Sequence, residues 1–207
     1  MEKSLSQEFS RERLQDRAEI QHRIFQFCHA IDRLQLDLLH EVFHDDARHD
    51  HGVYKGDIDG FIEFTKKRHE SIPYSSHQLG NIMIEFAGTD DALVETYVMV
   101  WQSVTPGSGM FEGGTDVPFE ILSSGRYVDH FRRKDSRWAI QTRTVVPGSA
   151  MRISELAPSL QGGFALTTRD QNDPALRLRA ELGLYQQQAS NPTTRSASDL
   201  PDRLAQL

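Results

Sequence analysis

The sequence predicts an α+β domain in which helices come first and an antiparallel sheet follows. Two observations carry this reading. Over roughly the first seventy residues the apolar positions recur at helical spacing, and from His77 onward they alternate with polar residues along paired runs. The runs are separated by short polar turns, which makes neighbouring strands antiparallel.

Ile20, Ile24, Phe27, Cys28 and Ile31 repeat every three or four residues. This predicts an amphipathic helix over about residues 10 to 33, with Asp32 one turn beyond Cys28 at the edge of the buried stripe. Asp37 is placed to cap a short second helix carrying Leu38, Leu39, Val42 and Phe43, which ends at Asp45 and Asp46. Residues 47 to 54 alternate as a strand and Gly56 breaks it. Asp57 to Ser71 reads as a third helix with Ile58, Phe61, Ile62 and Thr65 inward, and Pro73 lies just past its end.

Residues 77 to 87 and 92 to 104 read as long strands joined by Gly88-Thr89-Asp90-Asp91. The glycine-rich stretch Thr105 to Asp116 connects strands, either as a flap beside a pocket or as a surface hairpin without a role. Residues 118 to 132 and 137 to 146 form another hairpin across Arg133-Lys134-Asp135-Ser136, and the sheet is expected to end near Pro147. If Trp138 and Ile140 share one face, the period of two puts Arg143 on the other unless a bulge intervenes. By the same rule only one of Arg126 and Tyr127 faces the interior. A helix from Pro174 to about residue 189, with Leu178, Leu182 and Tyr185 on a thin stripe, precedes a polar, disordered tail. The expected division is a domain over 1–149 and an extension over 150–207.

A chain of 207 residues suffices for one core plus an appendage. The formal charge of −7, with acids and bases interspersed, excludes nucleic acid as a partner and provides no basic patch for a membrane surface. One cysteine, Cys28, cannot form an intramolecular disulfide. The first residues lack an apolar signal core and no run approaches about 18 apolar residues, so a cytoplasmic location is expected.

Asp32 closes an apolar helix and His77 opens a strand, and together they form a candidate buried proton-transfer dyad. A carboxylate that orients an imidazole fixes its tautomer and makes it a better base. The bland alternative is a capping acid and a satisfied core histidine. The stretch His44-Asp45-Asp46-Ala47-Arg48-His49-Asp50-His51 is dense in metal-ligand types, and His49 and His51 point to one face of a strand. The preferred reading gives them a place at the pocket mouth, with no metal and no cofactor. No G-x-S-x-G elbow or phosphate-binding loop occurs, and Cys28 on an apolar stripe is expected to be inert.

Ala30-Ile31-Asp32, Asp45-Asp46-Ala47, Gly52-Val53-Tyr54-Lys55-Gly56, His77-Gln78-Leu79-Gly80-Asn81 and Arg137-Trp138-Ala139-Ile140, in this order, resemble the SnoaL-like family of the nuclear transport factor 2-like superfamily over about residues 15 to 147. The resemblance implies a cone-shaped α+β barrel, its helices packed on a strongly curved, mainly antiparallel sheet. It is similar to the scytalone dehydratase-like, bile-acid dehydratase-like and dehydrochlorinase-like branches, which implies a catalytic Asp32–His77 dyad inside the cone. The implied chemistry is that of a lyase or isomerase, abstracting a proton from a small hydrophobic molecule such as a steroid, terpenoid, aromatic or polyketide. Arg143 and Tyr54 are candidate assisting groups, the arginine by resemblance to an anion-stabilising residue on the family's last strand. Phe25, Phe61, Asn81, Met83, Met99, Trp101, Phe119 and Tyr127 are the expected substrate contacts. The alternatives are a non-catalytic binder or scaffold of the same fold and the small subunit of a ring-hydroxylating dioxygenase. The open face of such a sheet needs a cover, so a homodimer or homotrimer is expected.

Overall fold

The structure is a computed structural model that describes residues 9–108, 116–153 and 168–184. Two compact units divide the chain, Met1–Gly162 and Gly163–Leu207. In the first, helix α1 spans Arg11–Arg33, capped by the Ser10 side chain, which accepts from the Arg13 amide. It stops where Leu34 enters the left-handed region at φ 53° and its N–H turns back to the carbonyls of Ala30 and Ile31. Ile20 and Ile24 are fully buried and Phe27 is 2% exposed, each contributing about 1.5–3 kcal/mol of hydrophobic stabilisation.

A 3₁₀ turn at Leu36–Leu38 and the one-turn helix α2, Leu39–Val42, follow. The expected second helix is therefore shorter than its apolar spacing suggests. Strand β1 begins at Phe43 and runs to Asp50, so Asp45 and Asp46 lie within a strand rather than at a helix end, and no side chain caps the 3₁₀ turn. Phe43 and Ala47 are both fully buried, and the sheet takes over this segment because it can bury them while pairing its backbone. The short β2, Lys55–Gly56, returns antiparallel to β1, and Asp57 caps α3, Ile58–His69, by accepting from the Gly60 amide at 2.9 Å.

Strands β3 (Tyr74–Phe86), β4 (Asp91–Val104), β5 (Phe119–Lys134) and β6 (Arg137–Ile153) form a continuous antiparallel meander. The six-stranded order is β2-β1-β6-β5-β4-β3, with β1 parallel to β6. The sheet is curled but unclosed, since its edges β2 and β3 do not pair among the described residues, so the expected barrel is open. At the β5–β6 turn, Asp135 (φ 50°) and Ser136 (φ 63°) both adopt the left-handed conformation that a tight two-residue hairpin demands.

Contrary to expectation, β6 continues through Pro147 to Ile153 and carries the sheet beyond residue 149. The pairing of β1 to β6 ends at Asp50 with Thr144, so beyond that point β6 is an edge strand, where a missing N–H costs no ladder bond. The strands close up there on two glycines. A Cβ on Gly125 would stand 2.9 Å from the Val146 carbonyl oxygen, and one on Gly148 2.8 Å from Ser124 Oγ.

Of four register irregularities, one lies between Phe43 and Arg48 where β1 pairs with β6, and the other three lie in the meander. In β3 the pairing steps from Leu79–Val98 to Ile82–Thr96, which leaves one extra residue at Gly80-Asn81. In β6 it steps from Phe131–Ile140 to His130–Thr142, with Gln141 as the extra residue, and a further shift lies between Ser123 and Gly125. Each single-residue bulge reverses the inward set downstream of it.

Far from the dyad, α1 is tied to the last hairpin through Asp16. Its carboxylate accepts from Trp138 Nε1 at 2.9 Å, Arg133 Nη1 at 3.1 Å and Arg13 Nη1 at 2.9 Å. In the second unit α4, Pro174–Glu181, is capped by Asp173, which accepts from the Ala175 amide, and none of its own residues is buried. The expected continuation of that helix to residue 189, the tail from 190 and most of the glycine-rich stretch (109–115) lie outside the described residues.

Candidate active site

The last turn of α1 places Asp32 on the same stripe as Cys28, facing the start of β3. Asp32 Oδ1 lies 2.7 Å from His77 Nδ1, and Asp32 Oδ2 accepts the His77 backbone N–H at 2.8 Å. The side chains are 15% and 9% exposed. Burial on its own raises the Asp32 carboxyl pKa. The hydrogen bonds and charge of His77, joined by a hydrogen bond from Ser75, outweigh it and hold the carboxyl below its ordinary value. Asp32 is therefore an anion at neutral pH, and it fixes the neutral form of the His77 ring as the tautomer that donates from Nδ1 and carries its lone pair on Nε2. A lone pair so held is one that can accept a proton.

Arg143 lies inside, fully buried, because the Gln141 bulge puts it on the same face as Trp138 and Ile140. Its guanidinium is held by Asp129, with Nε to Oδ1 at 2.7 Å and Nη2 to Oδ2 at 2.6 Å. It also stacks 4.2 Å from the Phe27 ring centroid and 4.3 Å from that of Tyr127. Burial opposes its charge, but the Asp129 carboxylate outweighs burial and raises the Arg143 pKa above the ordinary value. Tyr127 is inward and Arg126 is outward, paired with Glu95 at 2.7 Å. Burial pushes the Tyr127 phenol well above its usual pKa and the Cys28 thiol up to about 12, so neither ionises at neutral pH.

His49 and His51 share one face of β1, as their spacing predicts, and stack at 5.6 Å between centroids. His49 Nε2 and His51 Nδ1 are 3.4 Å apart, and the His49 ring lies 3.9 Å from that of Phe61. Burial, then the charges of Arg143 and His51, push His49 down to about 2. Burial, then Arg68, His77 and Arg143, push His51 down to about 4. Both are neutral imidazoles at physiological pH. Among the described residues no group of three or more His, Cys, Asp or Glu side chains is gathered to hold a metal ion.

Several expected substrate contacts stand elsewhere. Met83 is 63% exposed, Met99 47% and Trp101 38%. The bulge at Gly80-Asn81 turns Met83 and Asn81 outward, and His77 pairs with Val100, so Met99 and Trp101 take the opposite face. Phe25 is 52% exposed on the outer side of α1, and Phe27 holds the inward place. Phe61 and Tyr127 are interior, and Phe119 is half-buried on the same face of β5 as Tyr127, with the Arg152 guanidinium 4.5 Å from its ring centroid. The Tyr54 hydroxyl donates to the Asp57 carbonyl at 2.7 Å, which commits it to the entry of α3. The Arg143 partner Asp129 escaped the sequence reading, although it shares the odd-numbered face of β5 with Tyr127 and Phe131.

With fold and geometry in hand, the comparisons with known proteins are consistent. The family model described as a SnoaL-like domain matches residues 12–144. No curated protein matches the chain. Among solved structures, a hexachlorocyclohexane dehydrochlorinase (LinA type 2) aligns with a TM-score of 0.62 at 19% identity, covering 73% of this chain and 97% of its own. A protein of Novosphingobium aromaticivorans assigned as a scytalone dehydratase aligns at 0.57 and 17%, covering 73% and 96%. Another from the same organism, assigned as an aromatic ring hydroxylase, aligns at 0.56 and 23%, covering 68% and 94%. These likenesses show the α+β fold, and the family model places it in the nuclear transport factor 2-like superfamily. No helix among the described residues is long and apolar enough to cross a membrane. The chain belongs to the SnoaL-like family, with neighbours of dehydratase and dehydrochlorinase type.

Proposed function

We propose that the protein is a lyase or isomerase of the dehydratase type, working without a cofactor on a small hydrophobic substrate. The observation that carries this reading is the double hold of Asp32 on His77, which leaves Nε2 of the ring as the acceptor. His77 takes a proton from a carbon next to an activating group. Loss of a leaving group from the neighbouring carbon, or return of the proton elsewhere, completes the reaction. Phe27, Phe61 and Tyr127 belong to the buried apolar core, and an apolar interior favours a steroid, terpenoid, aromatic or polyketide. The neighbours assigned as a dehydratase and a dehydrochlorinase support the same class. The test is to incubate the protein in D₂O with a panel of hydroxylated and halogenated cyclic compounds and follow them by NMR. The wild type is expected to eliminate or incorporate deuterium in at least one compound, and His77→Gln to do so about 10²-fold or more slowly. A folded wild type that leaves the whole panel unchanged overturns the proposal.

A homodimer or homotrimer belongs to the same proposal, supported by the outward face of the sheet, where Tyr97, Met99, Trp101 and Met151 are exposed. Light scattering is expected to show an oligomer that Trp101→Lys weakens. The single cysteine, free and buried, fits a cytoplasmic location, which cell fractionation checks.

A further inference from the structure

One cluster is not used by the dyad: the two imidazoles of β1 and the buried ion pair behind them. His49 and Arg143 are register partners on adjacent strands, and both are 1% exposed. Asp129 occupies Nε and Nη2 of Arg143, while Arg143 Nη1 and His49 Nδ1 are buried without a hydrogen-bond partner among the described residues. The other nitrogen of His49 faces His51 Nδ1 at 3.4 Å.

Only one proton sits between the two imidazoles, and the surroundings decide which ring owns it. If His51 donated from Nδ1, the proton of neutral His49 would be on Nδ1, a buried N–H with no acceptor beside a guanidinium. An orphaned buried donor is among the rarest features of native proteins, and a positive neighbour makes it worse. If His49 donates from Nε2, its Nδ1 carries a lone pair, which the positive charge of Arg143 favours over an N–H. The second arrangement leaves a bare lone pair there instead of an orphaned N–H beside a cation, and is the less costly of the two. It puts the proton of neutral His51 on Nε2, the ring nitrogen not turned to His49. The His51 ring is only half-buried, and a proton on His77 would lower its basicity. The low basicity of both rings keeps them neutral, so the arrangement holds across physiological pH.

We propose that His49 is a positioning residue that fixes His51 as the Nε2–H tautomer, and that His51 donates this hydrogen bond to a carbonyl or hydroxyl oxygen of the substrate. Arg143, held by Asp129, then acts on His49 through its charge, and His49 acts on His51 through the shared hydrogen bond. A neutral donor so held stabilises charge developing on that oxygen without surrendering its proton to the substrate. The catalytic consequence rests on the proton-abstraction reading, but the tautomer does not.

The test is long-range ¹H–¹⁵N NMR of histidine-labelled protein, free of ligand, near pH 7.5. Both His49 and His51 are expected to carry the proton on Nε2 and a bare Nδ1. In His49→Phe, which keeps a ring against Phe61 but no nitrogen, His51 is expected to relax to a mixture of tautomers. A His51 protonated on Nδ1 in the wild type overturns the proposal and requires no variant. An unchanged single tautomer in folded His49→Phe also overturns it. With any compound the wild type converts, His51→Gln, whose amide nitrogen can reproduce the donor, is expected to keep kcat/KM within about tenfold, and His51→Phe to lose about 10²–10³-fold. Equal losses in both variants overturn the donor role. If no compound is converted but the tautomers are as expected, the dyad reading fails and the positioning of His51 by His49 stands.

Discussion

Asp32 grips His77 at two points, one carboxylate oxygen on the ring Nδ1 at 2.7 Å and the other on the backbone N–H at 2.8 Å. The ring is thereby fixed in orientation and tautomer by an anion that is itself mostly buried.

Asp32→Asn keeps the shape and removes the charge. On a compound the wild type converts, kcat/KM is expected to fall about 10²- to 10⁴-fold while the far-UV circular dichroism is unchanged. Stability provides a second readout. The folded pKa of Asp32 is depressed, so its contribution is complete above its unfolded value of about 3.9 and is lost as pH falls through the folded value. Urea unfolding should show the wild type's advantage over Asp32→Asn at pH 6 and less of it at pH 3.

The neutral imidazoles of β1 act in a different window. His49 is depressed to about 2 and His51 to about 4, both well below the unfolded value of about 6.5. Below pH 6.5 the unfolded chain takes up protons that the folded protein refuses. Their stabilisation is therefore complete above that pH and falls by about 1.4 kcal/mol per pH unit for each ring as the solution is acidified. The part due to His51 stops falling near pH 4. Urea unfolding at pH 7, 6 and 5 should show a shallower decline for His49→Phe than for the wild type, and parallel declines would contradict the buried neutral state.

Breaking the ion pair of Arg143 and Asp129 from one side leaves a charge buried without its partner. Arg143→Met and Asp129→Leu are each expected to cost about 3–5 kcal/mol in denaturant unfolding. The double variant should recover much of that loss, because the remaining cost is mainly packing. Additive losses would mean that the two side chains are not coupled.

At Gly125 a Cβ would meet the Val146 carbonyl oxygen at 2.9 Å, and a backbone atom in a paired strand cannot move aside cheaply. Gly125→Ala is expected to destabilise by about 1–3 kcal/mol. Gly80→Ala is the control: its Cβ would rest 3.5 Å from that of Tyr97, an ordinary contact, and thermal unfolding should change little.

The α+β order, the span of α1 and the two hairpins were legible in the sequence because each depends on local periodicity or on turn residues. The pairing of Asp32 with His77 was singled out by the family resemblance, since spacing alone fits a capping acid and a core histidine equally. What only the tertiary structure decided is which face each strand turns inward. A bulge is a misfit between two strands, and the extra residues at Gly80-Asn81 and Gln141 exist only in relation to β4 and β5. One such residue sent Met83 and Asn81 outward, and another brought Arg143 into the core opposite Asp129. The meeting of Arg143 with His49 depends likewise on the parallel pairing of β1 with β6, strands more than ninety residues apart in the chain. No local pattern encodes such a pairing, because its energy is realised only when the sheet curls and buries both side chains together.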